Sequence, residues 1–296
     1  MTALALDIGA TKFAAARVDP TGRVEAVRQA PVPRSAVWEA CRALLVEVAD
    51  SASVRAVGIG SAGPVEVSTG VTSALNIPEW RSGFAIVDSV RDLFPDAEVR
   101  FAIDGACLAL AEHRWGALRG VANGLALTVS SGIGGGIVLD GRVAVGRTGN
   151  AGHIGHIVVP GQDVPCACGG VGCVEAVASG MSSVRWARAQ GWPGESGAEL
   201  AAAAAAGEPV ALAAMERAGT ALGQAMASAA ALLDIDRIVV GGGFARSGDA
   251  LWRPLRAAVA RHAALVFTRG LRVVPSELPG GATLAGAGIL AVGDGR

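Results

Sequence analysis

A buried strand, a glycine-rich turn and a second strand follow one another twice in the chain, and this pattern constrains the fold most. It occurs in ALALDIGATKFAAARV (residues 3–18) and in LALTVSSGIGGGIVL (125–139), each with a third strand after it. Apolar segments with helical spacing lie between further strands. Strands alternating with helices predict a mostly parallel α/β sheet. Because the pattern restarts, we expect two similar lobes with a boundary near residues 116–122.

Composition excludes several classes of function. The 296 residues suffice for two lobes, 51% are hydrophobic, and the net charge of −1 argues against a nucleic-acid partner. No apolar run reaches the about 18–20 residues of a membrane span. The first predicted strand begins at residue 3, so we expect no signal peptide ahead of it. The sequence therefore predicts a cytoplasmic protein with no membrane partner.

Three strands end in glycine-rich turns, where backbone N–H groups can approach an anion closely. None of the turns matches the P-loop or dinucleotide pattern, and each alone is more often purely structural. Together, an acidic group followed by hydroxyl and ammonium groups suits a magnesium–phosphate complex. The candidates in the first turn are Asp7, Gly9, Ala10, Thr11 and Lys12; in the second, Ser130, Ser131, Gly132, Gly134 and Gly135; in the third, Gly241, Gly242 and Gly243.

Three of the five cysteines lie in one segment, GHIGHIVVPGQDVPCACGGVGCVEA (152–176). Cys166, Cys168 and Cys173 with His156 make a complete tetrahedral set for zinc. No position would remain for water, so such a site is structural. Cys41 and Cys107 lie on apolar helical faces and are expected to be inert core thiols.

The three turns, in this order, resemble the two phosphate motifs and the adenosine motif of actin-like sugar kinases. The cysteine segment resembles the signature of one branch, the ROK family (repressors, uncharacterised reading frames and sugar kinases). The resemblance covers nearly the whole chain. It implies two actin-like, ribonuclease H-like α/β lobes with an interdomain cleft, formed by residues 1–117 plus 282–296 and by 118–281. It also implies ATP, Mg²⁺, structural Zn²⁺ and a homodimer.

The same resemblance implies the residues that act on a sugar. Asp104, by itself a plausible helix cap, matches the catalytic aspartate that draws the proton from the 6-hydroxyl. Trp80 lies in a matching sugar loop, or is an exposed turn aromatic. The predicted sugar contacts are Ser61, Ala62, Gly63, Asn76, Ile103, Asp104, His153, His156 and Glu175.

Two departures from the family pattern concern the sugar. Ile103 replaces the asparagine that usually binds the 3- and 4-hydroxyls, and His153 replaces the glutamate of the glucose enzymes. Bacterial N-acetylmannosamine kinases are similar in having AGHIGH at this segment (151–156). We therefore expect a hexose 6-kinase for an amino or N-acylamino hexose such as N-acetylmannosamine. Glucose, or a 3-amino hexose such as kanosamine, is the alternative.

Other classes of function remain to be weighed. A regulator of the family carries a DNA-binding helix-turn-helix ahead of the sugar domain, for which the first strand at residue 3 leaves no room. A non-catalytic sugar sensor is disfavoured by Asp7 and Asp104 but not by Ile103. Polyphosphate also stays open as an alternative phosphoryl donor.

Overall fold

The computed structural model describes residues 2–293; residue 1 and residues 294–296 of the predicted first lobe lie outside this range. The strands are β1 (Thr2–Ile8), β2 (Lys12–Val18), β3 (Val24–Pro31), β4 (Val54–Ser61), β5 (Val65–Glu66), β6 (Val71–Thr72), β7 (Glu98–Ile103), β8 (Gly124–Val129), β9 (Ile133–Leu139), β10 (Arg142–Ala144), β11 (Arg237–Gly241) and β12 (Arg272–Pro275). The α-helices are α1 (Val37–Ala49), α2 (Ile86–Leu93), α3 (Asp104–Trp115), α4 (Val174–Ala178), α5 (Gly180–Ala189), α6 (Gly197–Ala205), α7 (Pro209–Leu233), α8 (Asp249–His262) and α9 (Ala282–Val292). Single 3-10 turns cover Pro78–Trp80, Ile154–His156 and Phe244–Arg246.

The first five-stranded sheet has the order β3-β2-β1-β4-β7. Strand β1 pairs antiparallel with β2 and parallel with β4, which pairs parallel with β7. The register aligns Ile8 with Ser61 and Ser61 with Ile103, so the carboxyl ends of three parallel strands lie side by side. Residues just after these ends therefore meet at one edge of the sheet.

The second five-stranded sheet has the order β10-β9-β8-β11-β12. Strands β8, β11 and β12 are parallel, and Thr128 pairs with Gly241. The second and third glycine turns consequently leave neighbouring strands at the same edge. When the strands of each sheet are numbered from 1 in chain order, both sheets have the strand order 3-2-1-4-5. This confirms the expectation that the strand–turn–strand pattern restarts in a second α/β sheet.

Contacts divide the chain into two compact units. The first comprises residues 1–122, 136–152 and 278–296, and the second comprises 123–135 and 153–277. The division falls inside β9, so residues 136–152 group with the first unit, whereas the sequence assigned them to the second lobe. The exact lobe bounds given above stay a prediction.

Helix α9 belongs to the first unit, although it is the last element of the chain. It packs against α3, β1 and β4. Two glycines allow this contact, because a methyl group at Gly58 would overlap the carbonyl of Ala287 and one at Gly286 would overlap the carbonyl of Cys107. The first sheet is thus covered by a helix that lies more than 170 residues beyond β7 in the sequence.

Helix α7 is the longest helix of the second unit and is mostly buried by its neighbours. Among residues 2–293, no single helix is long and apolar enough to cross a membrane. Helices α6 and α7 taken together are long and apolar enough for a membrane span, but they meet at a bend of 111°.

The burial of side chains tests two expectations, one about Trp80 and one about the thiols of Cys41 and Cys107. Trp80 is only 1% exposed and stacks on Phe84, with ring centroids 4.5 Å apart, so the expectation of an exposed turn aromatic is wrong. The ring fills the apolar core beneath the loop. Cys41 and Cys107 are fully buried, which raises the pKa of Cys41 to about 12 and that of Cys107 well above its usual value. Both are core thiols, as expected.

Candidate active site and metal centre

The first glycine turn connects β1 to β2 at the edge where the parallel strands end. Gly9 donates its N–H to the carbonyl of Lys12 at 3.1 Å, which closes a tight turn. Thr11 and Lys12 are exposed, whereas Asp7 and Ala10 are partly buried. The turn therefore carries the exposed residues Thr11 and Lys12 next to the partly buried carboxylate of Asp7.

Asp104 lies at the start of α3, one residue after the end of β7. Its Oδ1 accepts the Gly105 N–H at 2.7 Å, so the carboxylate also serves the helix terminus. Burial, and then the charge of Asp104, raise the pKa of Asp7 to about 7, while Lys12 opposes this. Ile103, the preceding residue, is 3% exposed and packs in the core. Asp7 and Asp104 therefore lie near enough to interact electrostatically, and carboxylate oxygens are the ligands that a hard cation such as Mg²⁺ prefers.

The predicted substrate loop follows β4 at the same edge. The Ser61 hydroxyl is fully buried and lies 2.9 Å from the Thr72 hydroxyl, and Ala62 donates its N–H to the carbonyl of Ile8 at 2.7 Å. The loop is thus fixed internally. Gly63 accepts the Leu75 N–H at 3.2 Å, which brings the loop beside Asn76, an exposed residue.

The second and third glycine turns lie together in the second unit. Ser130 donates its N–H to the carbonyl of Gly132 at 2.9 Å, whereas Ser131 is exposed. Gly134 and Gly135 belong to β9. Gly242 has φ of +97°, and a methyl group there would overlap the carbonyl of Val129. Gly241 ends β11 and Gly243 is exposed, so the two turns approach each other through their backbones.

A cavity of about 880 Å³ in the second unit opens between these turns, α5 and α6. Its volume suits a ligand of nucleotide size. Sequence reasoning found Ser130, Ser131 and Gly243 in its wall and missed the rest. The remaining lining residues are Gly180, Met181, Val184, Arg185, Arg188, Glu195, Ser196, Gly197, Ala198, Ala201, Phe244, Arg246 and Ser247. Of these, only Phe244 could have been identified from the sequence, because it directly follows the third glycine turn.

His156, Cys166, Cys168 and Cys173 form one cluster, with their ligand atoms all within 4.8 Å of one another. The Cys168 and Cys173 sulfurs are 3.7 Å apart, and the Cys166 sulfur lies 3.8 Å from Nδ1 of His156. Two thiolates on a tetrahedral zinc with Zn–S bonds of about 2.3 Å lie about 3.8 Å apart. The donor set therefore fits zinc, bound through Nδ1 of the histidine.

His153 and Glu175 flank the cluster. Ring centroids of His153 and His156 are 5.4 Å apart, and burial, then His156, lowers the pKa of His153. Nε2 of His153 is buried without a hydrogen-bond partner within residues 2–293. Oε2 of Glu175 accepts the Ile133 N–H at 2.7 Å. One predicted sugar contact thus carries an unused polar atom, and the other is already bonded to the second glycine turn.

Comparison with known proteins gives the family. The ROK family model matches residues 3–293. The chain is 35% identical over 248 residues to an N-acetylmannosamine kinase from Citrobacter koseri, covering 82% of this chain and 83% of that protein. A glucokinase from Thermotoga maritima is 30% identical over 303 residues, covering 96% and 95%.

Solved structures agree with this. A ROK family glucokinase from Streptomyces griseus, in complex with glucose and AMPPNP, is 32% identical with a TM-score of 0.85, covering 98% of this chain and 99% of that one. This similarity confirms the expected actin-like α/β fold class. By its family model, its identities and its fold, the chain belongs to the ROK family.

Proposed function

We propose that the chain is an ATP-dependent hexose 6-kinase acting on an amino or N-acylamino hexose such as N-acetylmannosamine. The observation that carries this proposal is the pairing of Asp7 and Asp104 at the edge where β1, β4 and β7 end. It combines a cation-binding carboxylate with a second carboxylate at a helix start. The kinases among the relatives support the same activity.

ATP would bind with its nucleoside in the cavity of the second unit and its phosphates at the second glycine turn, whose Ser130 and Ser131 line that cavity. Apolar lining by Met181, Val184 and Phe244 suits a flat base, and Arg185, Arg188 and Arg246 add positive charge. Asp7 would hold Mg²⁺, directly or through water, and the cation would neutralise charge on the phosphates. Lys12 supplies a further positive charge at the first turn.

Asp104 would act as the general base. The 6-hydroxyl oxygen forms a bond to the γ-phosphorus as the bond from that phosphorus to the β,γ-bridging oxygen breaks. ADP leaves with the electron pair, and the hydroxyl proton passes to the Asp104 carboxylate. The Gly105 N–H bonded to Oδ1 orients the carboxylate for this transfer.

The four-residue cluster would hold a structural zinc. It has three sulfurs and one imidazole nitrogen, with no protein position left open for a reacting water. Zinc would cross-link the segment that carries its four ligands and would take no part in the phosphoryl transfer. Bound through Nδ1, His156 keeps Nε2 for a second hydrogen bond, as ligating histidines usually do.

The sugar is proposed from the residues that depart from the glucose pattern. Nε2 of His153 is buried and unbonded among the described residues, which suits a polar substituent of the sugar. Ile103 is buried in the core where a polar partner of the sugar is usual, and the loss of that partner keeps kanosamine as an alternative. Glucose is the other, since two of the compared relatives are glucokinases. A sugar sensor without activity is a weaker alternative, given Asp7 and Asp104.

An ATP-consumption screen tests this proposal. Glucose, N-acetylmannosamine, N-acetylglucosamine, mannose and kanosamine are compared at equal concentration, with phosphorus NMR locating the phosphate on the product. We expect phosphorylation at the 6-position, with kcat/KM highest for an amino or N-acylamino hexose. Turnover of none of the five, with the enzyme folded and zinc-loaded, would contradict the kinase proposal. A preference for glucose would contradict only the sugar. Cytoplasmic location and a homodimer stay predictions, the latter measurable by light scattering.

A further inference from the structure

Glu175 joins two segments that the proposed mechanism treats separately. It lies two residues after the metal-ligand candidate Cys173, in the first turn of α4. Its Oε2 accepts the N–H of Ile133, the first residue of β9, at 2.7 Å. A methyl group at Gly132 would come within 2.7 Å of the same oxygen, so a side chain there would require the carboxylate to shift.

Further contacts hold the second glycine turn against the cysteine segment. Gly180, at the start of α5, donates its N–H to the carbonyl of Ser130 at 2.7 Å. Gly155, next to His156, packs so closely on the carbonyl of Ile133 that a methyl group would overlap it. The turn is thus contacted by chain on both sides of the cluster, but only Glu175 provides a charged hydrogen bond among these contacts.

The helix that carries Glu175 is also fixed from its other end. Arg217 of α7 donates to the carbonyl of Val177 at 2.7 Å and to Oε1 of Gln162, in the cysteine segment, at 2.9 Å. Its guanidinium lies over the ring of Trp186. Helix α4 therefore cannot shift without disturbing the segment that carries the ligands, and the Glu175 carboxylate is held in place.

We propose that Glu175 is a positioning residue for the phosphates of the nucleotide, because it fixes the second glycine turn to the metal-binding segment. This inference rests on the proposed function, since it takes that turn as a phosphate site. By bonding Ile133, the carboxylate holds the residue that directly follows Ser131 and Gly132 in the turn. A role in sugar binding alone would leave nucleotide binding unaffected by Glu175.

Two conservative variants separate the hydrogen bond from the charge. Glu175→Gln keeps an acceptor oxygen at full reach, whereas Glu175→Asp keeps the charge but shortens the side chain by about 1.5 Å. Asp163→Asn removes an exposed carboxylate of the same segment and serves as the control. MgADP binding is measured by calorimetry without sugar on zinc-loaded protein, and hydrogen exchange is followed in peptides containing Ile133.

We expect Asp163→Asn to bind MgADP within about twofold of wild type, and Glu175→Gln, whose neutral oxygen accepts a weaker hydrogen bond, to lie between the wild type and Glu175→Asp. Glu175→Asp should bind about tenfold more weakly, the loss expected for one hydrogen bond to a charged group, and its Ile133 amide should exchange faster. Wild-type affinity in Glu175→Asp, or equal losses in both variants, overturns the proposal. If Glu175→Asp loses zinc, wild-type MgADP affinity together with unchanged exchange at Ile133 in Glu175→Gln overturns the proposal instead. A wild type that binds no MgADP would contradict the proposed function, while the exchange comparison still tests the bond.

Discussion

Replacing Asp7 by asparagine should stabilise the protein above neutral pH in the absence of Mg²⁺ and nucleotide. Burial and the nearby charge of Asp104 raise the pKa of Asp7 from 3.8 to about 7 in the folded state. The folded chain therefore binds more protons than the unfolded chain between these values. Stability contributed by Asp7 falls as the pH rises through that window, and the loss is complete above about pH 7.

The magnitude follows from the size of the shift. One pKa unit corresponds to about 1.36 kcal/mol. The raised pKa then lowers the free energy of unfolding by about 4 kcal/mol at pH 8, where folded Asp7 is ionised, and by about 2 kcal/mol at pH 5, where Asp7 must take up a proton on folding. Asparagine carries no charge, so the variant should gain about 2 kcal/mol relative to wild type on going from pH 5 to pH 8.

Urea unfolding at both pH values measures this gain. The buffer contains neither Mg²⁺ nor a chelator, so that any bound zinc stays in place. With a slope of about 2 kcal/mol per molar urea, the midpoint difference between variant and wild type should grow by about 1 M. Asp96→Asn, which removes an exposed carboxylate of the first unit, is the matched control.

The reasoning would be refuted by a midpoint difference that is the same at pH 5 and pH 8, or by destabilisation of Asp7→Asn at pH 8. A confirming result would also explain why an unfavourable carboxylate is present at this position. Its charge becomes favourable once Mg²⁺ binds, so the site exchanges stability of the empty protein for affinity toward the cation.

Three further changes test the other parts of the site. Asp104→Asn should fold, keep its zinc and lower kcat by about 10²–10⁴-fold; turnover near that of wild type would exclude Asp104 as the base. Cys166→Ser should lose zinc by elemental analysis and lower Tm by at least about 5 °C, corresponding to about 2 kcal/mol in a unit of this size; unchanged zinc content would contradict the proposed ligand set. Gly242→Ala should destabilise the second unit by about 1–3 kcal/mol, because of its positive φ and its contact with Val129, and should weaken nucleotide binding; Gly270→Ala, in open space, should do neither.

The features predictable from sequence are those that local chemistry determines. The strand–turn–strand repeats, the start of α3 at Asp104 and the grouping of Cys166, Cys168, Cys173 and His156 follow from periodicity and spacing over short stretches. Ser130, Ser131 and Gly243 of the cavity wall were predicted from the glycine turns, and Phe244 is the one further lining residue that its place in a motif pointed to.

Other features depend on contacts between distant segments, and no local pattern encodes them. Trp80 is buried because Phe84 and Phe13 stack beside it. Glu79 caps a helix far from it in sequence by accepting the N–H of Val37 at 3.0 Å. The bond from Glu175 to Ile133 spans 42 residues, and a glutamate in the first turn of a helix carries no mark of such a partner.

Helix α9 packs closely on Gly58 of β4 and, through its own Gly286, on Cys107 of α3, and this late contact affects how the protein is made. During translation β1, β4 and β7 emerge early, but the face that α9 covers stays bare until the ribosome has added the last helix. Residues 153–277 form a contiguous stretch and can complete most of their own contacts before that. Synthesis therefore delays closure of the amino-terminal half until α9 has emerged.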